Sequence, residues 1–205
     1  VGSGVIASPV TLNGGAYRPG NSPGYIHLLS SLTFNAGSTY QENIAGTLQS
    51  NAYTPIGLTG YYSFGLVDGP VAINSGTTLQ PLLLNQFSPD EISYGTPPYI
   101  PKLGDQFRIG TALGGITGRF STLLQPDGLA AGTQFVAFYN MNNSNSLDLA
   151  VIPSSYPTAI SSASGNKNAQ SVGVALDKIA QLNVTGTSSA AQDSLLYAIS
   201  GQTST

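Results

Sequence analysis

The sequence predicts an all-β fold over about residues 1–157 and a helical tail after it. Three observations carry this: a composition rich in turn formers and poor in charge, short apolar alternations cut by glycine and asparagine, and a switch to helical periodicity beyond Pro157. Hydrophobic residues make up 40% of the 205, enough for a core, and only 7% are charged, against ~25% in ordinary soluble domains. Disorder requires low hydrophobicity with high net charge, and a net charge of −3 does not supply it. Gly, Ser, Thr, Asn and Tyr fill the balance, which suits turns and half-buried strands.

Residues 1–30 are expected to be irregular. The run "LNGGAYRPGNSPGY" crowds glycine and proline together. In "LTFNAGSTY" (32–40), Leu32, Phe34 and Ala36 alternate with Thr33 and Asn35, the period of a half-buried strand. Gly37 and Ser38 then turn the chain, and Tyr40 restarts it. Val67, Val71, Ile73 and Leu79 fall on short strands divided by Gly65, Gly69 and Gly76. Phe107 and Ile109 precede a glycine turn; Ile116 and Phe120 follow it. Residues 134–139 and the alternation Leu147, Leu149, Val151 predict two more strands, joined by a turn over 142–145. Asn-Gly and Asp-Gly pairs at 13–14, 68–69 and 127–128 allow hairpins. Asparagines at strand ends equally suit stacked coils with side-chain ladders. No internal repeat is visible.

"TAISSASGNKN" (158–168) reads as a linker. From Asn168 the pattern becomes helical, with Val172, Leu176 and Ile179 on one face. Residues 185–189 interrupt it. Ser188 or Ser189 is placed to cap a second helix over 190–199, with Leu195, Leu196 and Ile199 on its apolar side. The domain organisation expected is a β segment, 1–157, and a helical linker, 158–205.

The glycines of "GTALGGITGRF" (110–120) invite a phosphate-loop reading, which fails on inspection. Gly110 and Gly115 have Walker spacing, but the next residues are Ile116 and Thr117, so the lysine is absent. Gly114, Gly115 and Gly118 do not form the dinucleotide fingerprint either. The remaining reading is a sharp turn between strands.

Other chemistry is sparse. His27 is the single histidine, and no Gly-x-Ser-x-Gly elbow accompanies it. Asp90 and Glu91 are adjacent and would face opposite sides of a strand. Sequons occur at 142–144 and 183–185. Tyr61, Tyr62, Tyr94 and Tyr99 read as strand residues that could also touch sugars or proteins. The six basic residues are scattered, which argues against nucleic acid. There is no apolar run of membrane-helix length. No cofactor or metal site is expected. The chain begins at Val1, which reads as a processed or excised piece.

Four segments in order resemble the end of the passenger region of type V secretion autotransporters: "LTFNAGSTY" (32–40), "GDQFRIGTALGGITGRFSTL" (104–123), "FVAFYNMNNSNSLDLAVIP" (135–153) and "NAQSVGVALDKI" (168–179). In the last, Gly173 stands where the pattern has alanine. The resemblance covers about residues 30–200. It implies a right-handed parallel β-helix, a solenoid, whose C-terminal section acts as an autochaperone. It implies a non-enzymatic surface or secreted segment, exported across a bacterial outer membrane, with its own outer-membrane β-barrel as partner and a host protein or glycan as an adhesin's ligand. Leu32, Phe34, Ala36, Gly37, Tyr40, Gly104, Phe107, Ile109, Gly114, Gly115, Gly118, Phe120, Leu147 and Leu149 carry the motifs, in structural roles. A β-helix enzyme acting on polysaccharide and a viral fibre module are the alternatives.

The absence of cysteine suits a chain that crosses an oxidising compartment unfolded. On that reading, two introduced cysteines should block export of the oxidised form in a translocation assay. Unhindered passage would contradict it.

Overall fold

The computed structural model describes residues 4–20, 23–51, 61–84, 98–163 and 166–200. Successive stretches of chain lay one strand in each of three sheets. The first stretch contributes β1 (Gly4–Ile6), β2 (Val10–Leu12) and β3 (Gly15–Tyr17). The second contributes β4 (Tyr25–Leu28), β5 (Leu32–Phe34) and β6 (Ser38–Ile44). After two short strands, β7 (Leu48–Gln49) and β8 (Tyr61–Tyr62), come β9 (Phe64–Val67), β10 (Val71–Ile73) and β11 (Thr78–Leu83). The last set is β12 (Gln106–Ala112), β13 (Ile116–Gly118) and β14 (Thr122–Leu123), followed by a hairpin of β15 (Thr133–Tyr139) and β16 (Ser146–Pro153). Three helices end the described chain: α1 (Tyr156–Ala163), α2 (Lys167–Val184) and α3 (Ala190–Ser200).

The sheet orders are β1-β4-β9-β12-β16-β15, then β13-β10-β5-β2, then β14-β11-β6-β8-β7 with β3 also on β6. The pairs that join successive stretches are parallel, so like positions stack. Val10, Leu32, Val71 and Ile116 share one register; Tyr17, Tyr40, Leu79 and Leu123 share another. Burial alternates along β4, β5, β9 and β10, with Leu28, Phe34, Val67 and Ile73 inward and a mixed outward face that runs from His27 and Thr33 to Phe64 and Leu66.

The expected fold class is corrected. The molecule is mixed α/β, with three mixed or parallel sheets and three packed helices, rather than an all-β right-handed parallel β-helix with a trailing tail. Antiparallel pairing enters at β12–β16, β15–β16 and β6–β8. The helices build a second core. Phe135, Ala137, Leu147, Leu149 and Val151 face the first core, while Val136, Phe138, Ala150 and Ile152 face the helices. This is why all eight residues of β16 are buried. Period-2 alternation in that strand separates two cores instead of core from water.

Other expectations are also revised. The first thirty residues hold four strands, because short parallel strands tolerate glycine and proline in the bends between them. Ala36 lies with Gly37 in an exposed turn and not in the strand alternation, and Ser38 is already strand. Gly65 sits inside β9 and divides nothing; a Cβ there would lie 3.3 Å from the Tyr17 hydroxyl. The linker-like stretch is largely α1. Pro157 lies in its first turn, just after Tyr156, where a missing N–H costs nothing. On α2 the buried positions are Gly173, Leu176, Ala180 and Asn183, with Val172 59% exposed. The inward face is chosen by close approach: a Cβ on Gly173 would lie 2.8 Å from the Pro157 nitrogen. Ser189 and Gln192 form a reciprocal capping box on α3, with bonds of 2.8 and 3.3 Å.

The glycine stretch is a turn, as its sequence implies. Gly114 lies against the Gly69 backbone, and Gly115 and Gly118 have φ of +88° and +76°. Their substitutions should differ. A Cβ at Gly118 would lie 1.9 Å from the Ile73 carbonyl oxygen, whereas one at Gly115 meets nothing within 4 Å. Gly115→Ala should cost about 1–2 kcal/mol from backbone strain, and Gly118→Ala about 3 kcal/mol or more. Denaturant titration of the two variants checks this order.

Candidate functional site: a closed end and an open end

The sequence-predicted motif residues divide into two groups. Leu32, Phe34, Tyr40, Phe107, Ile109, Phe120, Leu147 and Leu149 meet in one buried core. Ala36, Gly37, Gly104, Gly114 and Gly115 lie at bends, and Gly118 ends β13. The centre of the first group is an aromatic stack. Tyr40 lies parallel to Tyr17 at 5.3 Å and to Phe120 at 6.1 Å, with Phe34 edge-on to both Tyr17 and Phe120. The Tyr40 hydroxyl donates to the Ile109 carbonyl at 2.8 Å. Tyr17 escaped the sequence reading because it sits among turn formers. The register Tyr17–Tyr40 was the signal that could have found it.

At one end of the sheets, side chains close the strand edges. The outer edge of β15 has no strand neighbour. Gln125 instead accepts from the Phe135 N–H at 2.7 Å and donates to the Phe135 carbonyl at 3.0 Å. Two residues on, Asn183 of α2 repeats the pairing on Ala137, at 2.9 and 2.7 Å. Asn140 donates to the Ile116 carbonyl of β13 at 2.9 Å. Each amide offers a donor and an acceptor, as a neighbouring strand would. Asn183 also donates to Asp193 at 2.8 Å; Asp193 accepts from Ser188 at 2.7 Å and lies 3.0 Å from Arg119. Arg119 in turn lies 5.3 Å above the Tyr139 ring. The sequon at 183–185 is therefore a buried structural asparagine, with its amide fully engaged.

The other end differs. Among the described residues, no strand or side-chain amide pairs with the outer edges of β1, β2 and β3. Ile6 is 39% exposed, and Val10 and Leu12 are half-buried. Two polar ladders run toward this end. Asn74 donates to Asn35 at 2.7 Å, and Asn35 to Asn13 at 2.6 Å. Gln41 donates to Gln80 at 2.6 Å and accepts from Arg18. The asparagine ladder suggested by composition exists, at positions the sequence did not single out.

His27 bonds to Asp68 at 2.8 Å on the outer sheet face, beside the Tyr25 ring. No serine hydroxyl is bonded to it among the described residues. Tyr61 and Tyr62 are buried, and the Tyr99 hydroxyl donates to Asp105 at 2.8 Å. Asp90, Glu91 and Tyr94 lie outside the described residues. Among the described residues no His, Cys, Asp and Glu cluster could hold a metal, and no helix is long and apolar enough to cross a membrane. No protein-family model, curated protein or solved structure matches the chain.

Glu42 is the unexpected residue. It is fully buried in β6, and neither carboxyl oxygen has a hydrogen-bond partner. Burial pushes its carboxyl well above the usual range; Tyr40 and the Ser63 N–H oppose this, though neither is in hydrogen-bond geometry with it. The folded chain thus holds a proton that the unfolded chain releases, so stability falls as pH rises above the ordinary carboxylate range.

Two measurements follow from the site. Glu42→Gln should raise the melting temperature at about pH 7.5 by several degrees and change it little at about pH 4. An equal effect at both values would contradict a buried neutral carboxyl. Asn183→Ala should cost about 3 kcal/mol by stranding the Ala137 amide groups and Asp193, read by denaturant unfolding.

Proposed function

We propose that this chain is a non-catalytic segment of an exported surface or secreted protein, an autotransporter passenger. It serves there as the folded platform on which an adjoining stretch of the same polypeptide folds. The supporting observation is the contrast between the two ends. One is sealed by Gln125, Asn140, Asn183 and the helices; at the other, three parallel strand edges have no strand partner among the described residues. An open edge is a template for strand addition. Adding a strand to an existing edge avoids the cost of starting a sheet. Folding outside the membrane can then draw the chain outward without an energy source there.

On this reading an outer-membrane β-barrel of the full-length protein is the export partner, and an adhesin's ligand, a host protein or glycan, is met elsewhere on the passenger. This reading involves no nucleic acid; two of the six basic residues, Arg108 and Arg119, pair with Asp148 and Asp193.

The test is surface display. A β-rich passenger joined to a barrel should become protease-resistant at the cell surface when residues 1–205 lie between them, and should remain protease-sensitive when they are deleted. Equal protection without the segment would refute the template role. Cleavage of a uronic-acid polymer by the purified chain would refute the non-catalytic one.

A further inference from the structure

We infer that the open end selects its partner by charge and hydrogen-bond direction: it takes a segment of the same exported polypeptide that adds one parallel strand to each sheet, sets an asparagine or aspartate oxygen over Asn13, and sets a carboxylate over Arg18. The inference rests on the template reading above and specifies what the template recognises.

Direction comes from the ladders. Asn35 donates to the oxygen of Asn13, so the Asn13 amide group has its N–H donors left for the next layer. Arg18 uses its Nε–H on Gln41. Its terminal nitrogens form no hydrogen bond among the described residues. A guanidinium pairs best with a carboxylate. Both ladders therefore end in donors, and an incoming layer must bring acceptors.

A second copy of the chain does not meet this need. The sequence holds no aspartate or glutamate before Glu42, so the same edge of another molecule offers no carboxylate to Arg18. The opposite end of another molecule has its edges covered by side-chain amides. What remains is a different segment with acidic character at one strand position. Ile6, 39% exposed, and Val10 and Leu12, packed against the core but half-buried, supply the apolar contact.

The experiment extends the full chain at its N-terminus. The extension is a copy of residues 4–20 on a Gly/Ser linker, with position 18 as Glu in one version and Arg in the other. Amide hydrogen exchange is measured on β1, β2 and β3. The Glu extension should slow exchange there more than the Arg extension, by about two- to five-fold. In a chain carrying Arg18→Glu, the order should reverse. An Asn13→Leu change in the extension should weaken protection in both.

Three results would overturn the inference: protection that ignores charge, no protection by either extension, or concentration-dependent protection of the unextended chain, which would make a second copy the partner. The display assay separates the two ideas. Charge-independent protection together with successful display leaves the template role standing and removes only the recognition rule.

Discussion

A strand edge without a partner leaves N–H and C=O groups unmade, and this constraint organises the molecule. Inside the sheets, parallel register answers it. At the closed end the answer is side-chain chemistry. The paired bonds of Gln125 on Phe135 and of Asn183 on Ala137 imitate a neighbouring strand at two successive positions of β15. The helices are held by this device as well as by apolar packing. Asn183 belongs to α2 and Asp193 to α3, and both belong to one buried network. Helix docking and edge closure are thus a single event.

The same register that aligns strands aligns unlike demands in the core. The Tyr17, Tyr40 and Phe120 stack fills its column well. Gly65 leaves room for the tyrosine hydroxyls beside it. Glu42 follows on the same strand as Tyr40 and is buried without hydrogen bonds. A neutral carboxyl there costs far less than a charged one. Coupling to pH is built into the centre of the fold through Glu42.

The proposed platform role rests on the asymmetry between the two ends. Among the described residues, Arg108 pairs with Asp148, Arg119 with Asp193 and His27 with Asp68. What the molecule offers is geometry: three short parallel edges in fixed relation, ended by two donors. Under the proposed role, that geometry is where an adjoining stretch would add strands.

Local signals were legible where they were strictly local. Strand alternation marked β5, β10, β12 and β16, helical period marked α2 and α3, and the glycines of 110–120 marked a turn. These depend on side chains a few residues apart, which sequence displays directly. Tertiary structure decided the rest. Whether Ile152 faces water or a second core depends on helices that come later in the chain. Whether Val172 or Gly173 points inward depends on how closely α1 crosses α2. Tyr17 joins the core through a partner 23 positions away, and Asn183 seals an edge 46 positions away. Sequence by itself determined the strand-and-turn grammar. The pairing of distant edges fixed the mixed α/β architecture and its open and closed ends, because backbone hydrogen bonds carry no residue code that a pattern could reveal.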